Sequence, residues 1–248
     1  MIVDINVSLS RWPFRRLVGD EPAALVAGLR RRDVGRAWAG SFDGILHKDI
    51  AGVNARLAKD CRTYGQGMLV PFGSVNPKLP DWQEDLRRCH EVHKMPGIRL
   101  HPNYHGYGLS DPAFTELLRL AAARNLIVQV VARMEDDRTQ HPLMRVPPVN
   151  LAPLAAIVKA EPRLKLVVLN AGAPVDDISR IYYDISMIER AGGVARLAEK
   201  ISPERVLFGS NYPLFYFESA LLKVREAGWS DGRRDTVLSG NAGRLLPS

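Results

Sequence analysis

This 248-residue chain lacks most of the features that mark specialised classes of protein. It has only two cysteines, Cys61 and Cys89, and no CxxC pair, which excludes a disulfide-dense scaffold. They read as reduced, buried thiols of a cytoplasmic protein. No apolar run reaches the roughly 18 residues that a membrane-spanning helix needs, so no membrane partner is expected. The opening MIVDINVSLSRW has no basic segment followed by a long apolar stretch, so no signal peptide is expected. No GxGxxG closes the first strand and no GxxxxGK[ST] occurs, which argues against dinucleotide and P-loop sites. HEXXH, a Cys/His cluster, internal repeats and low-complexity tracts are also missing.

What is present is ordinary globular composition, 46% hydrophobic and 25% charged. The net charge of +7 admits a nucleic-acid partner, an anionic small molecule, or nothing beyond solubility. Its placement has to decide among these.

Short apolar runs alternate with helical patterns, the signature of βα units and a parallel sheet. Eight strands are expected, at Ile2–Val7, Arg36–Gly40, Gly67–Phe72, Gly97–His101, Leu126–Ala132, Leu164–Leu169, Ile181–Ile185 and Arg205–Phe208. Pro22 suits a first helical position, with Leu25, Val26 and Leu29 on one face. Asp81 and Asp111 suit helix caps; the first helix would carry Trp82, Leu86, Cys89 and His93 on one stripe. Leu151, Leu154 and Val158 form another face. Only Ala171–Arg180 joins strands six and seven, leaving a short helix or none. The expected fold is α/β, a single (β/α)8 TIM barrel over residues 1–248 with parallel strands. An open doubly wound sheet is the alternative.

In such a barrel chemistry sits at the carboxyl ends of the strands. Those ends carry Asn6 and Ser8, Ser41, Asn76, Arg99 and His101, Gln129 and Arg133, Asn170, Asp184 and Ser186, and Ser210 and Asn211. The set is polar but poor in titratable pairs.

Six segments, in order, carry a resemblance: IVDINVS, PGIRLHPNYHGYGLSDPAFTELLRLAAARNLIVQV, LKLVVLNAG, YYDIS, RVLFGSNYP and LSGNAGRLL. Together they resemble the amidohydrolase 2 family of metal-dependent barrel hydrolases and decarboxylases, over nearly the whole chain. The resemblance implies metal-binding histidines at the positions of Asn6, Ser8, Val131 and Asn170. It implies a metal-binding, proton-transferring aspartate at Asn211. Every one of these is changed. Zinc and similar ions need thiolate, imidazole or carboxylate donors, and Val131 has no donor at all. No cofactor is therefore expected, because the standard divalent-metal site cannot form.

His101, which keeps the family's fourth-strand histidine, either packs at the rim or acts as a pocket acid/base. Arg99 shares its strand face and needs an anionic partner, either Asp4, Asp184 or a substrate carboxylate. Arg133, with Arg138, His141 and Arg145 in the loop behind it, forms either a solvated lid or an anion clamp. A replacement metal site built from His101, His105 and His141 is the lesser alternative, because His101 and His105 lie on a Pro/Gly-rich loop and so not on one helical face. Arg11, Arg15 and Arg16 around Trp12 and Phe14 read as a barrel-mouth loop, not a nucleic-acid surface, and Arg30–Arg32 complement a helix end.

The expected function is a metal-free amidohydrolase-like enzyme. It would hydrolyse, or decarboxylate, a small anionic molecule such as a lactone or cyclic carboxylate. His101 and Asn211 are the candidate catalytic residues. Asn6, Ser8, Arg99, Gln129, Arg133, His141 and Asn170 are the candidate substrate contacts. The alternative is a non-catalytic homologue, a binding or scaffold subunit. A homodimer is compatible with the resemblance.

Overall fold

The computed structural model describes residues 1–175 and 180–246. Eight parallel strands follow one another around a barrel in chain order. They are β1 (Ile2–Leu9), β2 (Val34–Ser41), β3 (Leu69–Ser74), β4 (Gly97–Leu100), β5 (Ile127–Val131), β6 (Lys165–Leu169), β7 (Ile181–Asp184) and β8 (Val206–Leu207). The ring is closed beyond β8, where Ile5 N donates to the Phe208 carbonyl and Ser8 N to that of Tyr212, both at 3.0 Å. Each predicted strand is found. The third is displaced toward its carboxyl end, so Asn76 falls in the following loop, where its side chain accepts from Lys78 N.

The connecting helices form where the sequence supplies a start and one apolar face. In α1 (Pro22–Arg30) a proline fills the first turn, where its missing N–H costs nothing, and Leu25, Val26 and Leu29 are buried. The helices α2 (Asp43–Leu46) and α3 (Ile50–Gly65) link β2 to β3. Asp49 caps α3 by accepting from Gly52 N, and Ile50, Val53, Leu57 and Cys61 face the sheet. Asp111 caps α5 (Pro112–Ala123) by accepting from Ala113 N at 2.9 Å. Between them, α4 (Trp82–Glu91) departs from expectation. Asp81 precedes it with a φ of 56°, and its side chain caps nothing. A capping residue needs extended backbone to turn its carboxylate onto the first-turn N–H groups. The helix ends at Glu91, so His93 lies outside it.

Beyond Pro153, α6 (Leu154–Ala160) leaves Leu151 in the preceding turn. No helix forms at 171–175 after β6. The rest of that expected short link, 176–179, lies outside the described residues. After β7 comes α7 (Gly193–Ile201), and after β8 come α8 (Phe217–Glu226), α9 (Asp231–Asp235) and α10 (Asn241–Leu245). Cys61 and Cys89 are free and buried. Among the described residues no helix is long and apolar enough to cross a membrane.

Two apolar bodies result. One lies between strands and helices. The other fills the barrel interior with Val3, Ile5, Trp38, Phe72, Ile127, Val131, Val167, Leu169 and Leu207. Trp38 and Phe72 stack there at 4.8 Å. Ala242 and Leu245 of α10 belong to this inner body, and the Leu245 carbonyl receives Lys165 Nζ at 3.3 Å.

Interior space is tight enough that side-chain size is fixed position by position. Gly97 opens β4, and a Cβ there would overlap the Ile127 carbonyl and the Phe72 ring. Gly97→Ala is expected to destabilise the fold by about 1–3 kcal/mol, the usual cost of overpacking. Urea unfolding monitored by circular dichroism would measure it, and an unchanged midpoint would refute the packing described.

Candidate active site

The barrel interior is not wholly apolar. Gly97, Arg99 and His101 share the inward parity of β4, as Ile127, Gln129 and Val131 share that of β5. Arg99 is fully buried, 2% exposed. Its Nε donates to Gln129 Oε1 at 2.8 Å. Its Nη1 reaches the Val7 carbonyl at 2.9 Å and Ser8 Oγ at 3.3 Å. Its Nη2 reaches the carbonyls of Ile5 at 3.2 Å and Trp38 at 3.1 Å. Gln129 Nε2 also donates to the Ile5 carbonyl, at 2.8 Å.

The expected carboxylate partner of Arg99 is thus replaced by neutral oxygens. The cause lies in β1. Its pairing with β2 shifts register between Asp4 and Val7, a bulge that takes carbonyls out of the ladder. Arg99 and Gln129 supply the donors those carbonyls lose. Gly40 makes the room, since a Cβ there would stand 2.8 Å from Arg99 Cδ. Burial pushes the Arg99 pKa down to about 10, with Asp4 and Asp184 opposing the shift, so the group stays charged at neutral pH.

The bulge carries Asn6, whose side chain faces the mouth. Asn6 Nδ2 donates to Asn170 Oδ1 at 2.6 Å and to Asp184 Oδ2 at 2.8 Å. Asn170 Oδ1 also accepts from Ser186 Oγ at 2.6 Å, and Asn170 Nδ2 donates to the Arg133 carbonyl at 2.7 Å. Asp184 Oδ1 accepts from Asn170 N at 2.7 Å. One network therefore ties the ends of β1, β6 and β7. Asn170 and Asn211 both adopt left-handed backbone, at φ of 58° and 57°, a conformation asparagine tolerates better than most residues. Asn211 Nδ2 donates to the Met134 carbonyl at 3.3 Å, while its Oδ1 is buried and unpartnered.

Two carboxylates sit among these groups; the sequence offers both as possible partners for Arg99, and Asp184 also as a strand-end residue. Asp4 accepts from the backbone N–H of Asn6 and of Ser210, each at 3.0 Å, and from the Ser210 hydroxyl. Burial raises its pKa to about 7 despite those bonds. Burial likewise raises that of Asp184. The sequence signal for Asp4 was its place in the IVDINVS segment.

His101 is buried with its Nδ1 unpartnered. Burial, then His105 and Arg99, hold its pKa well below the usual imidazole value, so it is neutral. His105 packs edge-on to it at 6.0 Å and bonds the Gly44 carbonyl through Nε2. His141 is elsewhere: exposed, stacked on Phe14 at 5.6 Å, with Nδ1 accepting from Leu143 N. Ser8 is used by Arg99, and Gln129 by Arg99 and Ile5. Among the candidates, Asn6 thus bonds Asn170, and Arg99 bonds Gln129 and Ser8, whereas His141 joins neither group.

Trp12, Phe42, Ile45, Met134 and Leu214 continue the inner apolar body over the mouth. Trp12 packs edge-on to Phe14 at 5.4 Å and to Phe42 at 5.3 Å. Arg15 bonds buried Glu135 at 2.5 Å, joining the loops after β1 and β5. Arg11 and Arg16 are ion-paired with Glu21 and Asp20.

The donor set does not fit a divalent metal. At the five positions stand two amides already bonded to each other, a hydroxyl spent on Arg99, a valine, and Asn211, whose amide faces a carbonyl. Among the described residues no group of three or more His, Cys, Asp or Glu side chains is placed to hold a metal ion.

The comparisons with known proteins agree with this architecture. A sequence-family profile described as Amidohydrolase matches residues 14–248. No curated protein matches the chain. Several solved structures share the fold at low identity. 5-Carboxyvanillate decarboxylase from Sphingomonas paucimobilis is 14% identical, with a TM-score of 0.74 covering 99% of this chain and 98% of that one. 2,6-Dihydroxybenzoate decarboxylase from Rhizobium is 13% identical, with a TM-score of 0.75 covering 98% of each chain. 4-Oxalomesaconate hydratase from Rhodopseudomonas palustris is 14% identical, with a TM-score of 0.74 covering 100% of this chain and 96% of that one.

Two outcomes follow from the site's geometry. Arg99→Leu leaves several buried carbonyls without donors and is expected to cost about 3 kcal/mol or more, read from urea unfolding. Loss of under about 0.5 kcal/mol would contradict the stapling role. For Asp4, a folded pKa of about 7 lies above the unfolded value of 3.8. The stability it contributes is full below the unfolded pKa and is lost as pH rises toward the folded one. Thermal melts of Asp4→Asn should therefore vary less than wild type between pH 4 and pH 7. Parallel curves would place the titration elsewhere.

Proposed function

Because this chain belongs to the amidohydrolase family, whose profile matches residues 14–248, we propose that it is a family enzyme working on a small anionic substrate without the family's divalent metal. The observation that carries the reading is the amide network at the ligand positions. There Asn6 and Asn170 bond each other at 2.6 Å, while His101 Nδ1 and Asn211 Oδ1 remain buried and unpartnered. Buried polar atoms without partners are uncommon, and a catalytic role is one of the explanations they call for.

The reaction proposed is hydrolysis of a lactone or cyclic carboxylate at its C–O or C–N bond. Water attacks the carbonyl carbon as neutral His101 takes its proton. The bond to the leaving atom then breaks, and His101 returns the proton to it. Asn170 and Asn211 amides, once the substrate displaces their present acceptors, donate to the carbonyl oxygen as charge develops. Arg133, half-buried at the end of β5 with an unpartnered Nε, holds the substrate's anionic group. Entry requires the barrel mouth to open, because Asn6, His101 and Asn211 are each buried. The structural neighbours named for carboxylated aromatics favour the anionic class and keep decarboxylation as the related outcome.

Protein purified without chelator should contain far less than one metal ion per chain, and EDTA should leave its turnover of a lactone panel unchanged. Stoichiometric zinc or manganese that activates turnover would overturn the metal-free reading. His101→Ala is expected to lower kcat by roughly 10²-fold or more. Turnover equal to wild type would remove His101 from the role, and no turnover on any lactone or cyclic carboxylate would defeat the enzymatic reading.

A further inference from the structure

A cleft of about 550 Å³ opens beside the mouth, between the ends of β5, β6 and β7 and the start of α7. Its floor is apolar, formed by Met187, Ile188 and Leu197, each buried. Its rim is cationic, with Arg133 from the loop after β5, and Arg190, Arg196 and Lys200 from the stretch that leads into and along α7. The Arg133 guanidinium lies beside Gly172, whose missing side chain leaves it uncovered: a Cβ there would stand 3.4 Å from Nη2. The Arg133 Nε is buried without a partner.

The charges of the rim are not balanced within it. Two carboxylates line the cleft, Asp136 and Glu189. Asp136 gives both oxygens to Arg138, at 2.8 and 2.9 Å. Arg190 and Arg196 are exposed and Arg133 is half-buried, so solvent screens their mutual repulsion in part, and an anion entering the cleft would relieve the rest. Arg196 spends one nitrogen on the Ala191 carbonyl at 2.6 Å, which holds its side chain over the start of α7. That first turn has no side-chain cap and no acidic residue, so its N–H ends add partial positive charge on the same side.

A single carboxylate presents two oxygens in one plane. Three guanidinium groups, one from the β5 side and two from the α7 side, together with a helix start, suit a tetrahedral dianion with three acceptor oxygens. We propose that this cleft is a subsite for the phosphate group of a small phosphorylated ligand, held by Arg133, Arg190 and Arg196. It rests on the function proposed above for the role of Arg133, and it names the anion that Arg133 holds.

The test is calorimetric titration of inorganic phosphate into the full chain, at constant ionic strength set with chloride. Arg133→Gln and Arg196→Gln are each expected to weaken binding about tenfold or more. Arg190→Gln, in an exposed loop, should do the same and serves if either of the others fails to fold. Arg36→Gln and Arg124→Gln, at the opposite end of the barrel, should bind as wild type does. Absence of phosphate binding, equal binding by all the variants, or tighter binding of succinate than of phosphate would overturn the subsite. His101→Ala should keep phosphate binding. A chain without turnover that still loses phosphate affinity in the arginine variants supports the subsite and defeats only the catalytic reading.

Discussion

A guanidinium inside a closed barrel must have its donors answered, and much of the upper half of this molecule is arranged to answer those of Arg99. Every one of its nitrogens meets an acceptor, and three of the acceptors are backbone carbonyls of β1 and β2. Carbonyls become available inside a barrel only where a ladder is broken, which is what the bulge of β1 does. The bulge in turn sets where Asn6 and Ser8 stand. Charge in the interior, irregular backbone in the first strand and polar groups at the mouth are therefore one arrangement. Gly40 is part of it too, because any side chain there would occupy the guanidinium's space.

Above that staple, the mouth is held by hydrogen bonds between strand ends. An amide performs the linking, with Asn6 bonded at once to Asn170 and to Asp184. An amide NH2 carries two donor hydrogens, so it can bridge an amide oxygen and a carboxylate, two acceptors that could not bond each other. The arrangement also keeps two buried carboxylates, Asp4 and Asp184, surrounded by donors, although burial still raises both pKa values. Outside this network, cationic side chains outnumber carboxylates along the cleft between Arg133 and α7. A neutral reaction centre beside a cationic cleft is the division of labour that the proposed function uses.

The order of elements was legible in the residues. Apolar runs marked the strands, Pro22 and Asp111 marked helix starts, and inward parity placed Arg99, Gln129 and Val131 on the lumen side. Parity works because successive strand side chains alternate faces whatever the partner strand is. The same reasoning failed at Asp81, whose left-handed backbone removes it from capping, since a cap depends on a dihedral that composition does not report. It also failed for the partner of Arg99. Charge complementarity pointed to Asp4 or Asp184, but those carboxylates were already engaged by Ser210, Asn6 and Asn170.

By itself, then, the sequence determined the barrel, its strand order and which polar groups stand at its strand ends. These follow from local periodicity and residue chemistry. Only the tertiary structure decided how the remaining polar groups are satisfied. It alone paired Arg99 with carbonyls, joined Asn6 to Asn170 across the barrel, moved His141 away onto Phe14, and gathered Arg133, Arg190 and Arg196 around one cleft. Hydrogen bonds between residues far apart in the chain depend on the bulge, the left-handed turns and the closure of the ring, and no window of sequence contains all three.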